Sequence, residues 1–365
     1  DYYFISFKIL EKTLSYYYFR NAKINMLEIK EDLLPISESF KRIREIIEQS
    51  NNIVISSHIN PDGDAIGSEL ALYFVLKDNY DKNVEIINYS PTPDNLKFLE
   101  GSSRIKNAED CTTQTFFNIA DAIFIVDLNN PTRLKSLSEP LLTSKAKKIV
   151  IDHHQGPIQF ADCYAVDSAA SSTGEILWKM FDNWNVQISQ AVAMALYTAI
   201  MTDTGSFRFP ATTPMVHKIV ADLIEKGADP VTCYEYVYNQ LSYQKALLFG
   251  KAFNSLELFY EGKLGIITIR TNDFLEIGAI ESDTEDIVER ILGVKGVYVG
   301  IMLSESSDSD SIRMSFRAKG KYIVRDLAME FDGGGHEQAA GARAKGKSID
   351  AIREEVISRA KKLFS

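Results

Sequence analysis

A histidine and two aspartates follow directly after an apolar run early in the chain. Residues 53–68 read IVISSHINPDGDAIGS, which places His58, Asp62 and Asp64 just beyond the run. An uninterrupted β-branched run predicts a strand covered on both faces, with His58 at its carboxyl end. The proline and glycine cannot continue the strand, and a helical apolar rhythm begins at Ile66, so both aspartates are predicted on the strand-to-helix turn. Binding sites in open α/β sheets form at such turns.

These residues also have a purely structural interpretation, which the stretch alone leaves open. An Asp-Gly pair can form an ordinary turn, Asp64 can cap the helix, and His58 can lie on the surface. Aspartates and histidines at the ends of later strands and helices favour the chemical interpretation.

Carboxylates and imidazoles recur where later elements end. Predicted buried strands at 122–126 and 149–151 each run into such residues, and so does the helix that contains residues 191–200. The residues at these three ends are Asp127, Asp152, His153, His154 and Asp203. An aspartate at a helix C-terminus opposes the helix dipole, and a nearby cation would remove that conflict. A parallel sheet would gather these ends along one edge.

The adjacent histidines and a serine–glutamate pair further along the chain have different predicted roles. Successive residues leaving a strand point in opposite directions, so His153 and His154 are not expected to bind one ion in the same way. Ser172 and Glu175 fit a helix capping box, and we interpret that segment as structural.

The gathered residues predict a centre for two divalent ions. Such ion pairs share a bridging carboxylate and activate water for attack on phosphorus. Two imidazoles among oxygen ligands favour Mn²⁺ or Co²⁺ over Mg²⁺. The predicted ligand set is His58, Asp62, Asp64, Asp127, His153 and Asp203.

Composition indicates which partners are disfavoured and which cellular compartment suits the chain. The chain has 365 residues, 45% of them hydrophobic, and a net charge of −10, which argues against a long nucleic-acid duplex as partner. Three cysteines, Cys111, Cys163 and Cys233, show no zinc or disulfide spacing and suit a reducing cytoplasm. Residues 1–25 contain no apolar run long enough for a signal peptide or membrane span. We expect them to be a tail outside the domains, and our hypothesis is that Met26 is the native start.

A second, smaller domain is predicted after residue 260. Residues 26–242 form the first domain, 243–260 a helical connector, and 261–365 the second domain, with strands at 297–303 and 312–318 and an acidic hairpin at 304–311 between them. Its glycine run, Gly333, Gly334 and Gly335 followed by His336, can cradle a phosphate with backbone N–H groups. Arg313 and Arg317 on the preceding strand support this interpretation. In the first domain, Arg208 could contact a phosphate, although a lone arginine between two phenylalanines is as often packing.

The chain resembles the DHH phosphoesterases through H-x-N-P-D-G-D-A-I-G-S, Asp127, the Asp152-His153-His154 signature and Asp203-Thr204-Gly205. The resemblance implies that one manganese is held by His58, Asp62 and Asp127, and the other by Asp64, Asp127, His153 and Asp203. It implies further that His154 contacts the scissile phosphate or protonates the leaving oxygen, and that Asp152 orients a histidine. The second half resembles the DHH-associated domain, whose G-G-G-H motif and strand arginine bind the far end of the substrate. Ala318 departs from the serine common in relatives.

The resemblance implies an α/β fold with a parallel-sheet N-terminal domain, helices on both faces, and a smaller α/β C-terminal domain across a cleft. It is strongest to the nano-RNase branch, cytoplasmic enzymes with two Mn²⁺ (Co²⁺ or Mg²⁺ as substitutes) that degrade short oligoribonucleotides to mononucleotides and remove the 3′-phosphate of 3′-phosphoadenosine 5′-phosphate. A cyclic-dinucleotide phosphodiesterase and a manganese pyrophosphatase share the scaffold, and the glycine motif argues against the second. A non-catalytic nucleotide-binding protein would lack metal ligands. The sequence leaves open cyclic or linear preference, polarity, RNA or DNA, and oligomeric state, with a homodimer among the options.

Overall fold

The computed structural model describes residues 33–109, 113–306 and 311–364. These residues form two compact units that divide between Gln240 and Leu241. Each unit contains one six-stranded sheet with its own buried core. The expected tail at 1–25, the start at Met26, Cys111 and residues 307–310 of the acidic hairpin lie outside the described residues.

The sheet of the first unit is entirely parallel. Its strands are β1 (Asn52–Ser56), β2 (Asn83–Asn88), β3 (Ile105–Asn107), β4 (Ala122–Val126), β5 (Lys147–Asp152) and β6 (Cys163–Val166). Their order is β3-β2-β1-β4-β5-β6, with every neighbouring pair parallel. The order of connection therefore reverses between β1 and β4. Doubly wound sheets bind ligands beyond the carboxyl ends of their strands at such a reversal.

Both faces of this sheet are buried, as the uninterrupted apolar runs predict. Ile53 and Ile55 of β1 pack into one core cluster, whereas Val54 packs into a different one. Phe124 and Ile125 of β4 divide between the same two clusters. Side chains that alternate between two buried faces require covering layers on both, so the predicted α/β class with a parallel sheet is confirmed.

Helices cover the two faces of the sheet. They are α1 (Ile36–Gln49), α2 (Gly63–Tyr80), α3 (Thr113–Ile119), α4 (Ser138–Thr143), α5 (Thr173–Trp184), α6 (Gln190–Asp203), α7 (Pro214–Glu225) and α8 (Pro230–Tyr238). Short 3-10 turns span Asp94–Leu96, Ser102–Arg104 and Pro131–Leu137. Within the described parts of the chain, no helix combines the length and the apolar character needed to cross a membrane.

Glycines bring three of these helices into close contact. A Cβ atom at Gly67 of α2 would lie 2.4 Å from the carbonyl oxygen of Ala195 in α6. A Cβ atom at Gly174 of α5 would lie 2.6 Å from the Cβ of Ala199. Separations this short exclude any side chain at either glycine. The helices are therefore held at a fixed distance, and so are the site residues at their ends.

The second unit has a mixed sheet. Its strands are β7 (Glu257–Phe259), β8 (Leu264–Ile269), β9 (Val299–Glu305), β10 (Ser311–Ala318), β11 (Gly334–His336) and β12 (Ala339–Lys345). They are ordered β11-β12-β10-β9-β8-β7, and only β8 and β9 pair in parallel. The helices are α9 (Tyr243–Asn254), α10 (Thr271–Ile277), α11 (Ile287–Ile291), α12 (Arg325–Met329) and α13 (Ile349–Ala360), with 3-10 turns at Glu281–Thr284 and Lys361–Leu363.

Two segments of the second unit correspond to the expected helical connector and to the glycine motif. The helix expected to connect the domains ends at Asn254 and buries Leu248 and Ala252 in a core cluster of the second unit. Its contacts therefore group it with that unit. Gly334, Gly335 and His336 of the glycine motif form strand β11, because their backbone pairs with β12 in a tight antiparallel hairpin.

Candidate metal centre

The turn after β1 places the first candidate ligands. His58 is buried, and its Nδ1 lies 2.8 Å from the carbonyl oxygen of Ile59. A carbonyl oxygen only accepts, so Nδ1 carries the proton and Nε2 is left with a lone pair. Asp62, not Asp64, caps α2, with its Oδ1 accepting from the N–H groups of Asp64 and Ala65 at 3.0 and 3.1 Å.

Asp127 lies at the middle of the group. It follows β4 and has a φ of 57°, in the left-handed region that non-glycine residues seldom adopt. Its Oδ2 lies 3.2 Å from Nε2 of His58, and its Oδ1 lies 3.6 Å from Nε2 of His153. One carboxylate therefore faces histidines that follow two different strands. Such strained backbone is often found at functional sites.

A second set of side chains lies around His153. Nε2 of His153 is 3.2 Å from Oδ2 of Asp203 and 3.8 Å from Oδ2 of Asp64. Asp203 is the last residue of α6, and Asp64 is in the first turn of α2. The structure therefore brings the ends of two helices and one strand together at this histidine.

The ligand atoms form three overlapping groups, within each of which they lie within 4.8 Å of one another. The groups are His58, Asp62 and Asp127; Asp64, His153 and Asp203; and Asp127, His153 and His154. Mixed imidazole and carboxylate donors of this kind fit a divalent transition metal. All six predicted ligands thus fall into compact groups that could hold a metal ion.

The electrostatics of the candidate carboxylates also favour a bound divalent ion. Burial raises the pKa of Asp64 well above its usual value, and the nearby Asp127 and Asp203 raise it further. The pKa of Asp127 is likewise raised by burial, then by Asp62, Asp152 and Asp203. Carboxylates crowded in a buried site resist ionisation unless a cation compensates their charge. A bound divalent ion would supply that charge.

The two adjacent histidines do not point apart, contrary to our expectation. Their ring centroids are 4.5 Å apart, and Nδ1 of His154 lies 3.7 Å from the same Asp127 oxygen that His153 approaches. Strand β5 ends at Asp152, so both histidines lie beyond the last residue to which strand alternation applies. Oδ1 of Asp152 lies 2.7 Å from Nδ1 of His154, and this hydrogen bond raises the pKa of His154.

The start of α5 contributes to the centre in a way that the sequence did not reveal. Ser172 caps the helix as expected, and its Oγ accepts from the N–H of Glu175. The N–H groups of Thr173 and Gly174 also donate to the two oxygens of Asp64 at 2.7 and 2.9 Å. The hydroxyl of Thr173 donates to Oδ1 of Asp127 at 3.2 Å. One helix N-terminus therefore holds two candidate ligands.

The candidate phosphate-binding residues divide between the units. In the first unit, Nε of Arg208 donates to the carbonyl of Gly205 at 2.6 Å. In the second unit, all of the others except Gly335 line an open groove of about 650 Å³. Its lining includes Arg313, Arg317, Gly333, Gly334 and His336, together with Arg343, which the sequence did not single out. Gly335 lies in β11 between two of these residues.

Comparison with known proteins identifies the family. The profile described as "DHH family, N-terminal domain" matches residues 52–200, and the "DHHA1 domain" matches residues 271–362. The chain belongs to the DHH family of phosphoester hydrolases. Five of the six candidate ligands fall within the first match, and Asp203 lies just beyond it. Hydrolases of this family depend on metal ions, and the Asp/His cluster can hold one.

Individual relatives cover most of the chain. The bifunctional oligoribonuclease and PAP phosphatase NrnA of Thermus thermophilus is 27% identical, over 88% of this chain and 93% of its own. The protein of the same description from Bacillus subtilis is 29% identical, over 80% and 89%. The crystal structure of an exopolyphosphatase-related protein from Bacteroides fragilis is 30% identical, with a TM-score of 0.79, and the match covers 90% of this chain and 97% of that one. This DHH protein is therefore NrnA-like.

Proposed function

We propose that this DHH protein is a manganese-dependent enzyme that degrades short oligoribonucleotides to mononucleotides. We propose further that it removes the 3′-phosphate of 3′-phosphoadenosine 5′-phosphate. The observation that carries the proposal is the meeting of His58, Asp127 and His153 at the strand reversal, with Asp127 between two ligand sets. The activities named for the NrnA relatives support the choice of substrate class.

The ligand sets suggest how two ions would be held. His58, Asp62 and Asp127 would hold one, and the other would be held by Asp64, Asp127, His153 and Asp203. When bound, two divalent ions would lower the pKa of a water molecule, so that hydroxide is available to attack phosphorus. They would also supply positive charge near the phosphoryl oxygens. The imidazole nitrogens in both sets support Mn²⁺, with Co²⁺ or Mg²⁺ as substitutes.

His154 is the proposed contact to the reacting phosphate. Its side chain is 45% exposed, whereas Asp152 is fully buried beneath it. Asp152 fixes the Nδ1 of this ring, so the remaining nitrogen is available to contact the scissile phosphate or to protonate the leaving oxygen. Asp152 therefore positions His154 rather than touching the substrate.

Other residues would bind the substrate away from the reacting phosphate. We propose that Arg317, Arg313 and His336 hold its other end, together with the backbone of the glycine run at 333–335. The common groove that these residues line supports this assignment. Arg208, on the loop after α6, would contribute a phosphate contact in the first unit.

Buried thiols support a cytoplasmic location for this activity. Cys163 and Cys233 are both free and buried. Burial raises the pKa of the Cys233 thiol to about 11, which keeps it protonated and unreactive. Two unpaired thiols suit a reducing compartment.

A panel of substrates tests the proposal. With Mn²⁺ present, the protein should hydrolyse a 5′-phosphorylated dinucleotide and 3′-phosphoadenosine 5′-phosphate faster than an RNA of about 24 nucleotides or pyrophosphate. The net charge of −10 disfavours long polyanions, and pyrophosphate lacks a second group for the groove. A cyclic dinucleotide hydrolysed much faster than the linear one would reassign the substrate while leaving the metal chemistry in place. No hydrolysis of any of them would overturn the proposal.

Two variants separate binding from chemistry. Arg317→Ala and His336→Ala should raise KM for the dinucleotide with little change in kcat, because they remove contacts distant from the reacting phosphate. A fall in kcat at unchanged KM would show that these residues act on the chemical step instead.

A further inference from the structure

Two arginines face each other across neighbouring strands of the second unit. Arg313 of β10 and Arg343 of β12 are directly opposite in the antiparallel register. Like charges in this position destabilise a sheet unless an anion lies between them. Nη1 of Arg313 and Nη2 of Arg343 lie 3.4 and 3.0 Å from the same oxygen of Glu281. Two cations on one carboxylate leave an excess positive charge.

The same face of the sheet continues toward Arg317. Met314 and Phe316 point into the core, so Arg313, Ser315 and Arg317 lie on the opposite, groove-lining face. Four residues along a strand separate Arg313 from Arg317, which corresponds to roughly 14 Å. Arg317 pairs with a different carboxylate, because its Nε lies 2.6 Å from Glu289. The two ends of the row are therefore electrostatically separate.

Small residues form the surface between the two ends. Ser315 pairs with Gly341, and Gly341 pairs on its other side with Gly334. A row of one serine and two glycines leaves the sheet without bulky side chains at this level. The groove thus has cations at each end and only small residues along the surface between them, which suits a nucleoside flanked by two phosphates.

We propose that Arg313 and Arg343 form a second phosphate subsite, which binds a phosphodiester of a linear oligonucleotide longer than a dinucleotide. Glu281 forms ion pairs with both guanidinium groups in the absence of substrate, and the phosphate displaces it. This subsite rests on the proposed function, since it assigns part of the same groove to the third nucleotide. Arg317 and His336 then bind the second nucleotide.

Binding in the absence of catalysis tests the subsite. Affinities of 5′-phosphorylated di- and trinucleotides are measured with metal chelated, so that neither is hydrolysed. The wild-type protein should bind the trinucleotide more tightly than the dinucleotide. Arg343→Ala should weaken binding of the trinucleotide about tenfold and leave the affinity for the dinucleotide unchanged. The dependence of trinucleotide affinity on salt should fall in that variant by about 0.7 in logarithmic slope, the loss of one phosphate contact on a single strand.

A matched control makes the result specific. Arg270→Ala removes the same charge and an ion pair with Asp350, outside the groove lining, and should change neither affinity. Equal affinity of the wild-type protein for both oligonucleotides, or equal weakening of both by Arg343→Ala, would overturn the subsite. Loss of hydrolysis with this pattern of binding intact would overturn the proposed activity alone.

Discussion

Oδ1 of Asp152 lies 2.7 Å from Nδ1 of His154, and the buried carboxylate thereby orients a partly exposed imidazole. The hydrogen bond is the largest cause of the raised pKa of His154, and the charge of Asp152 adds to it. A carboxylate in this position favours the protonated ring. The pair therefore links the geometry of the centre to its dependence on pH.

Asp152→Asn should lower the pKa of His154 and weaken its orientation. If His154 protonates the leaving oxygen, activity falls as pH rises through its pKa, so the alkaline limb of kcat should move to lower pH in the variant. A loss of about 10 to 100-fold in kcat is expected at the optimum, as for other residues that orient groups in metal sites. An alkaline limb that stays in place would exclude His154 as the proton donor.

Thr173→Val should reduce activity without disturbing the fold. The variant keeps the backbone N–H bond to Asp64 but loses the hydroxyl bond to Asp127. We expect about a tenfold fall in kcat and a weaker apparent affinity for Mn²⁺. Thr173→Ser keeps the hydroxyl and should behave like the wild-type protein. Equal activity of the valine and serine variants would show that this hydroxyl has no part in the centre.

Glu69 provides a prediction on stability. Burial raises its pKa from 4.5 to about 8, and Nδ2 of Asn88 donates to its Oε2 at 2.8 Å. Because the pKa is higher in the folded protein, the stabilisation is complete below the unfolded value and is lost as pH rises through the folded value. Between these values, Glu69 should lower the free energy of unfolding by at most about 1.4 kcal/mol per pH unit.

Glu69→Gln should remove this dependence, since the amide oxygen can still accept from Asn88 and carries no charge. Urea denaturation of both metal-free proteins from about pH 5 to 8 measures the effect. The variant should gain stability relative to the wild-type protein as the pH increases. Parallel pH profiles would show that Glu69 ionises normally in the folded protein.

The positions of the strand-end residues were predictable because their signal is local. An apolar run followed by Asp or His marks a buried strand and its end, and Asp127 and Asp152 were located in this way. The strand order then brings the ends together without further information from the sequence.

Other features depend on contacts between distant residues. The bond from Thr173 to Asp64 joins positions 109 residues apart, and the capping pattern at Ser172 fully accounts for the local sequence. Strand β12 consists largely of alanine and glycine, which give little apolar alternation, so its pairing with β10 and the position of Arg343 opposite Arg313 were not predicted. The orientation of His153 and His154 was mispredicted because strand β5 ends at Asp152, so the alternation of side chains along a strand does not extend to these two residues.

Asp127→Asn tests the central claim most directly, because this carboxylate lies close to His58 of one proposed ligand set and to His153 of the other. The control is Asp94→Asn, the same chemical change at a side chain that is 93% exposed. Metal stoichiometry and kcat on a 5′-phosphorylated dinucleotide are measured for both variants in saturating Mn²⁺, with thermal unfolding to confirm the fold. We predict two ions per chain and normal turnover for the control, and for Asp127→Asn impaired metal binding with a loss of more than about 100-fold in kcat. Two ions and near-wild-type kcat in a folded Asp127→Asn protein would contradict a two-metal centre built on this residue.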